Sequence, residues 1–504
     1  MVNNRRRVWL RLSAGLILFG VAACLLSLAM PVQDGLAVVD ARSGLVELRS
    51  SGGVLATTLR AARQKIRVGD LELDGATYNG LYAGPVLRVR PGDMLRIRLV
   101  NDLDEPTNLH FHGMRSSPLG NGDNVHVAVA PGDSFTYEVR IPPTQPPGLY
   151  WYHSHVHGIS ERQVMGGLSG ALVVEAPQPA DVAERLFVLK DMVFDDDTGV
   201  ARIDDDLHGI VQSVNGRLEV SASMAPGETQ LWRFGNQSAN LPFHIALEGH
   251  RFRIVAEDGE ATLDPRTVDV LDIMPAGRVE VLVQGGAAGR YALRAVGTMT
   301  GTGAARTPDR VLGTLDVAGA PAQAAVVDGQ TAAPADLRAA HVDARRAVVF
   351  SQTKTLKPAD QKFYLNGQLF DPQRVDVRVP LGNVEEWTVR NDTDDLHVFH
   401  IHQLGFQVVE VNGAKVAFTG RVDTVRVPER GEVKLLLAFT DPEIVGRFMF
   451  HCHVLRHEDK GMMAQIEVYD PRPSALSDWV WRMYLHMWWW AHGVPWSQCG
   501  LGLA

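Results

Sequence analysis

One motif recurs three times along the 504-residue chain: a turn, a strand, an asparagine-containing turn and a further strand. The first copy runs Pro91-Gly92-Asp93, Asn101, His110-Phe111-His112, and the second Pro226-Gly227-Glu228, Asn236, Phe243-His244-Ile245. The third runs Leu381-Gly382-Asn383, Asn391, His400-Ile401-His402. The copies lie 135 and 155 residues apart, too long a period for a solenoid and suited to repeated domains. A single hydrophobic core also stops growing at roughly 250–300 residues, so three domains are expected. The middle copy keeps one histidine, His244, which reads as structural. The outer domains are therefore expected to hold the chemistry and the middle one to hold them apart.

The motif is built of strands. Leu95-Arg96-Ile97-Arg98-Leu99 alternates apolar and polar with the period of a half-buried strand. No helical pattern of comparable length precedes residue 470. Short strands punctuated by Pro-Gly, Asn-Gly and Asp-Gly predict an all-β chain of antiparallel sandwiches or barrels. The domains are expected at 45–178, 180–318 and 341–470, with an Ala/Pro-rich linker from about Gly319 to Ala340.

The two ends read differently. Within residues 1–37, Arg5, Arg6 and Arg7 precede an apolar run from Ala14 to Met30, the order of an export signal or a retained membrane anchor. Arg6-Arg7-Val8-Trp9-Leu10-Arg11 resembles a twin-arginine signal, which implies a periplasmic or cell-envelope location. Val21-Ala22-Ala23-Cys24 has the shape of a lipoprotein cleavage site, although apolar residues continuing past Cys24 argue against lipidation. In the tail, 471–504, Trp479, Trp481, Trp488, Trp489 and Trp490 suit a helix packed over a domain face or in contact with a membrane or partner. His486 and His492 there do not read as ligands. A net charge of −9 gives no general attraction to nucleic acid.

Ten of the 18 histidines fall in four segments: His110-Phe111-His112, His153-Ser154-His155, His397 to His402, and His451-Cys452-His453 with His457. A lone histidine is usually a satisfied core or surface residue; repeated His-x-His pairs are not so easily explained. Histidines at i and i+2 on a strand stand about 7 Å apart on one face and can reach neighbouring metals. The same rule sends Cys452 to the opposite face from His451 and His453, so one strand touches two metal centres. The other cysteines, Cys24 and Cys499, lie in the leader and tail, so no disulfide framework can be argued. A thiolate, two imidazoles and a weak axial thioether make a copper electron-transfer site. Cys452, His457, Met462 and a third-domain histidine supply that set. His397 suits best, because its three-residue offset from His400 frees it from the later pair's face.

Together the four segments resemble the signature of the multicopper oxidases, the laccase family, over nearly the whole chain after the leader. The resemblance implies three cupredoxin-like Greek-key β-sandwich or barrel domains and four copper ions: a type 1 copper in the last domain and a trinuclear cluster between the first and last. By position, His110 and His400 would bind the type 2 copper. His112, His153, His155, His402, His451 and His453 would bind the type 3 pair. His457 would sit toward solvent and accept single electrons, Cys452 would pass them on, and dioxygen would be reduced to water. Two departures stand out: Phe111 replaces a frequent tryptophan, and His402 is followed by Gln403-Leu404-Gly405.

Reduction of dioxygen to water consumes protons, so acids are expected near the cluster. Asp123 and Glu458 occupy stretches where the family places proton-relay carboxylates. The electron donor is weakly specified. An axial methionine suits readily oxidised phenols, aromatic amines or low-valent metal ions, and the 14 methionines form no methionine-rich insertion of the kind that marks cuprous oxidases. The alternatives are a copper-tolerance oxidase acting on Cu(I), a copper nitrite reductase, which would lack the trinuclear-type pairs, and a scaffold, which would have lost ligands.

Overall fold

The computed structural model describes residues 37–471 apart from 41, 177–181, 194–209, 298–306, 308, 326–333 and 356–359. The arginine-led leader with Cys24 and the tryptophan-rich tail with His486, His492 and Cys499 lie outside the described residues. Cys452 is described as free and buried. Among the described residues, no helix is long and apolar enough to cross a membrane.

The threefold motif has one structural solution. Gly92, Gly227 and Gly382 take φ of 93°, 79° and 105°, a left-handed turn that a side chain would strain. Each turn launches a strand, Met94–Asn101, Thr229–Asn236 or Val384–Asn391, that ends on the asparagine. The three asparagines are buried and make the same bonds. The Asn101 amide donates to the carbonyls of Glu105 and Val129, both at 2.8 Å. Asn236 donates to Leu241 and Ile273, both at 2.9 Å, and Asn391 to Asp395 at 2.9 Å and Val427 at 3.3 Å. Each side-chain oxygen accepts a backbone N–H two residues on, from Leu103, Ser238 or Thr393. A buried amide satisfied on both ends fixes the loop that delivers the next strand, the one carrying the histidines in the outer domains.

Each domain stacks two sheets. The strand of the motif lies parallel to an earlier strand of its domain: Val54–Val68, Ala183–Val193 or Ala344–Gln352. The second sheets contain parallel pairs as well, Val86–Val89 with Ser169–Val174, Val220–Met224 with Arg310–Val317, and Val377–Pro380 with Met463–Tyr469. The sheets are therefore mixed rather than antiparallel as expected. The chain crosses to the facing sheet between the paired strands, as Val86–Val89 does between Val54–Val68 and Met94–Asn101, and returns running in its original direction. Three apolar cores fill the sandwiches, around Tyr78, Phe111 and Tyr137, around Trp232 and Phe234, and around Trp387, Phe399 and Phe450. Burial of each such side chain contributes about 1.5–3 kcal/mol.

Strand pairing then brings the histidines together. His110–His112 runs antiparallel to Gly148–His153, with His110 opposite His153. His397–Ile401 runs antiparallel to Gly446–Cys452, with His400 opposite His451 and Phe399 opposite Cys452. Two short helices, α1 (Ser160–Gly166) and α2 (Leu455–Asp459), follow these histidine strands and pack on each other across the first and third domains.

Candidate metal centre

Eight imidazoles from the outer domains converge in one buried cluster. Ligand-capable atoms within 4.8 Å of one another group His110 with His400 and His402, His110 with His112 and His153, and His155 with His402 and His451. His453 completes the cluster, its ring 5.0 Å from His112 and 5.4 Å from His400. His155 Nε2 and His402 Nε2 both approach His451 Nε2, at 3.2 and 3.1 Å. Three ring nitrogens facing one another cannot all be satisfied by the protons that neutral imidazoles carry, whereas a cation satisfies all of them.

The opposite nitrogens are tied down, as metal-binding histidines require. A carboxylate or carbonyl oxygen can only accept, so its partner nitrogen carries the proton. His110 donates from Nδ1 to Asp123 Oδ1 at 3.0 Å, His153 to the Ser154 carbonyl at 2.9 Å, His400 to the Asp423 carbonyl at 2.7 Å, and His451 to the Cys452 carbonyl at 3.0 Å. His112 uses the other nitrogen, donating from Nε2 to Asp423 Oδ1 at 3.1 Å. This leaves Nε2 of His110, His153 and His400, Nδ1 of His112 and both nitrogens of His453 buried with no partner in the chain. Each such orphan costs about 1–3 kcal/mol. Burial, reinforced by neighbouring imidazoles, holds His110, His112, His400, His402 and His453 well below the ordinary histidine range. They are neutral, the form that binds a metal.

The second centre lies behind the strand. His397 Nδ1 is 3.4 Å and His457 Nδ1 3.7 Å from Cys452 Sγ, and the two nitrogens are 3.1 Å apart. The Thr393 hydroxyl lies 2.8 Å from His397 Nε2 and orients that ring. Met462 is buried beside them, its N–H donating to the His457 carbonyl at 2.9 Å and its carbonyl accepting from Cys452 N–H at 3.1 Å. Burial pushes the Cys452 thiol up to about 12, so only a cation at the site gives it reason to ionise. A thiol and two imidazoles, with Met462 in the same buried core as Cys452, fit copper.

The two expected acids are both at the cluster. Asp123 is buried against His110, its carboxyl pushed well up by burial although the Phe111 N–H (3.0 Å) and the Gln403 amide (2.6 Å) both donate to it. Gln403, where the sequence departs from the family pattern, thus sits on Asp123, with φ of 61°. Glu458 Oε2 is 3.0 Å from His451 Nδ1, and Oε1 is 3.7 Å from His155 Nε2. Burial alone would raise Glu458, and the facing His155 and His451 outweigh it and hold it low.

One expectation fails. His457 does not sit toward solvent: it is 1% exposed, and the Phe363 ring stacks on it at 4.0 Å. Phe363 arrives from a separate hairpin, packed there by the core of the third domain. His244, in the middle copy, is half-buried, 3.4 Å from Asp272, and belongs to none of these clusters. Asp423 was not anticipated, because nothing in its neighbourhood in sequence marks it apart from any other residue leading into a strand. Its place is set by packing between domains.

Three multicopper oxidase family models match the chain in succession, over residues 61–179, 192–320 and 341–472. The chain belongs to the multicopper oxidases. It is similar to multicopper oxidase mco of Staphylococcus aureus, 25% identical over 78% of this chain and 83% of that protein. Cell division protein FtsP of Edwardsiella tarda is 28% identical over 77% of this chain and 84% of its own length. Among solved structures, the laccase-like multicopper oxidase CueO of Ochrobactrum sp., with oxidase activity towards lignin model compounds, superimposes with a TM-score of 0.71 at 27% identity, covering 84% of this chain and 98% of that one. As a multicopper oxidase the protein is a copper-binding, cupredoxin-type oxidoreductase that takes electrons from a reductant and gives them to dioxygen.

Proposed function

We propose that the protein is a laccase-like oxidase coupling four one-electron oxidations to the reduction of dioxygen to water. In this reading Cys452, His397, His457 and Met462 hold a type 1 copper, His110 and His400 a type 2 copper, and His112, His153, His155, His402, His451 and His453 a type 3 pair. Bound there, copper supplies single-electron transfer at the cysteine and four-electron transfer to dioxygen at the histidines. Asp123, raised by burial, holds a proton beside His110, and Glu458, held ionised beside His451, accepts and passes protons for the oxygen cluster. The observation that carries the reading is Cys452 on one face of its strand with His451 on the other, each within a separate group of ligand-capable atoms. Domains 45–178 and 341–470 would carry the metals and 180–318 would tie them together.

Phenols and aromatic amines are the donors favoured. The oxidase activity of the Ochrobactrum relative on lignin model compounds supports them. The arginine-led leader supports export by the twin-arginine route. The retained ligands argue against a purely scaffolding role. Oxygen consumption with a phenol, with Cu(I) and with Mn(II) tests the donor class, and the phenol is expected to turn over fastest. Faster turnover of Cu(I) would make it a copper-tolerance oxidase, and nitrite reduction without oxygen uptake would make it a nitrite reductase.

A further inference from the structure

We propose that Arg278, supplied by the middle domain, is a positioning residue for the histidine cluster that the outer domains share. The proposal rests on the copper reading above and acts through Asp423. Arg278 is 1% exposed. Its Nη1 donates to Asp423 Oδ1 at 2.7 Å and its Nη2 to Oδ2 at 2.5 Å, a two-pronged contact that a lysine cannot reproduce. Asp423 in turn accepts His112 Nε2–H on its side chain and His400 Nδ1–H on its backbone carbonyl. One aspartate thus sets the tautomer of a histidine from each outer domain, and one arginine sets the aspartate. Asp423 lies within ligand reach of His112 and His400, but both its carboxylate oxygens face the guanidinium and Oδ1 also accepts from His112, which places it to orient these histidines.

The middle domain holds this arrangement from two sides. Arg278 Nη1 also donates to the Ala276 carbonyl at 3.0 Å, and Nε to the Leu149 carbonyl of the first domain at 3.3 Å. Asp258 accepts the Arg278 backbone N–H at 3.0 Å on one oxygen; on the other it accepts the N–H of Asp423 and of Thr424, both at 3.1 Å. The guanidinium is packed so closely that a Cβ on Gly113, next to His112, would lie 2.7 Å from Arg278 Nη2 and from Asp423 Oδ2. A plain interdomain strut needs none of these contacts to end on ring nitrogens.

The test compares full-length wild type with Arg278→Met, Arg278→Lys and Asp423→Asn. Two readouts go beyond activity: the affinity and EPR spectrum of cluster copper, and isotope-labelled histidine NMR of the copper-free protein. Arg278→Met is expected to keep the type 1 absorption, weaken cluster copper binding by about ten- to a hundredfold and lose the His112 Nε2–H signal, with Arg278→Lys partly restoring both. Asp423→Asn should match Arg278→Met, and the double variant should be no worse than either. Unchanged cluster copper and an unchanged His112 signal in Arg278→Met, with only a lower melting temperature, would overturn the proposal. If that variant does not fold, the same two readouts on Asp423→Asn decide. The NMR arm needs no copper, so a wild type that fails to bind four coppers counts against the proposed function and leaves the Arg278 result standing.

Discussion

Asp459 caps the helix that begins at Ser160. Its carboxylate oxygens accept the N–H of Ser160 at 3.0 Å and of Glu161 at 2.8 Å, while Ile159 at the N-cap position makes no side-chain bond. The first turn of α1, in the first domain, is thus satisfied by the last residue of α2 in the third, next to Glu458. Asn240 of the middle domain bridges the same two helices, donating to Glu161 Oε1 at 2.7 Å and accepting from Arg456 N–H at 3.1 Å.

Asp459→Ala should therefore cost about 1 kcal/mol, within the 0.5–2 kcal/mol of a lost N-cap. Urea unfolding measures the loss, and hydrogen exchange should show faster exchange at Ser160 and Glu161. An unchanged midpoint with unchanged exchange would mean that the cap is not what joins the domains.

Phe363 covers His457, so the side chain has two separable effects. Phe363→Ala should lower stability by about 3–5 kcal/mol, the usual cost of truncating a buried phenylalanine. It should also lower KM for bulky phenols by opening the His457 edge. Denaturant unfolding and steady-state oxygen uptake check the two. A rise in KM would show that donors bind on the ring and not behind it.

The histidine pairs and Cys452 were legible because strand alternation is a local rule: His110 and His112 share a face whatever the rest of the chain does. The three asparagines were legible as turns, and their common bonding follows from their common place after Gly92, Gly227 and Gly382. What was not legible depends on distant chain segments meeting. Asp423, Arg278 and Asp258 are ordinary strand or turn residues until three domains pack, Asp459 caps a helix in another domain, and His457 reads as exposed until Phe363 is laid over it. The mixed sheets escaped for the same reason, since short alternating strands do not reveal when the chain changes sheets.

Asp123→Asn and Glu458→Gln keep the size and hydrogen-bonding shape of the originals but cannot carry the acid's proton. Each should retain copper while oxygen consumption falls by about 10²–10⁴, the range of a positioned proton donor. Metal analysis and oxygen uptake on the same samples decide. Full turnover with copper retained would remove these residues from the proton route.

Lys190 gives a pH dependence independent of the metals. It is buried between the first two domains, donating to Ser169 Oγ at 2.6 Å and the Val164 carbonyl at 3.2 Å, and burial lowers its pKa from 10.5 to about 7. The unfolded chain thus binds a proton that the folded chain does not between about pH 7 and 10, so stability should rise with pH across that window, by at most roughly 5 kcal/mol. Below about pH 7 both states are protonated and the contribution is flat. Lys190→Met should remove the rise between pH 7 and 9 in thermal unfolding; a slope equal to wild type would place the cause elsewhere.

In the proposed function one strand, through Cys452 and its flanking histidines, joins a thiolate copper site to a cluster of coppers that consumes dioxygen. The most direct measurement is the optical and EPR spectrum of the copper-loaded protein, with copper counted per chain. Four coppers are expected, with an intense blue thiolate-to-copper band and distinct type 1 and type 2 EPR signals, the blue band bleached by a phenol and restored by air. One or no copper per chain, or four coppers without the thiolate band, would contradict that function.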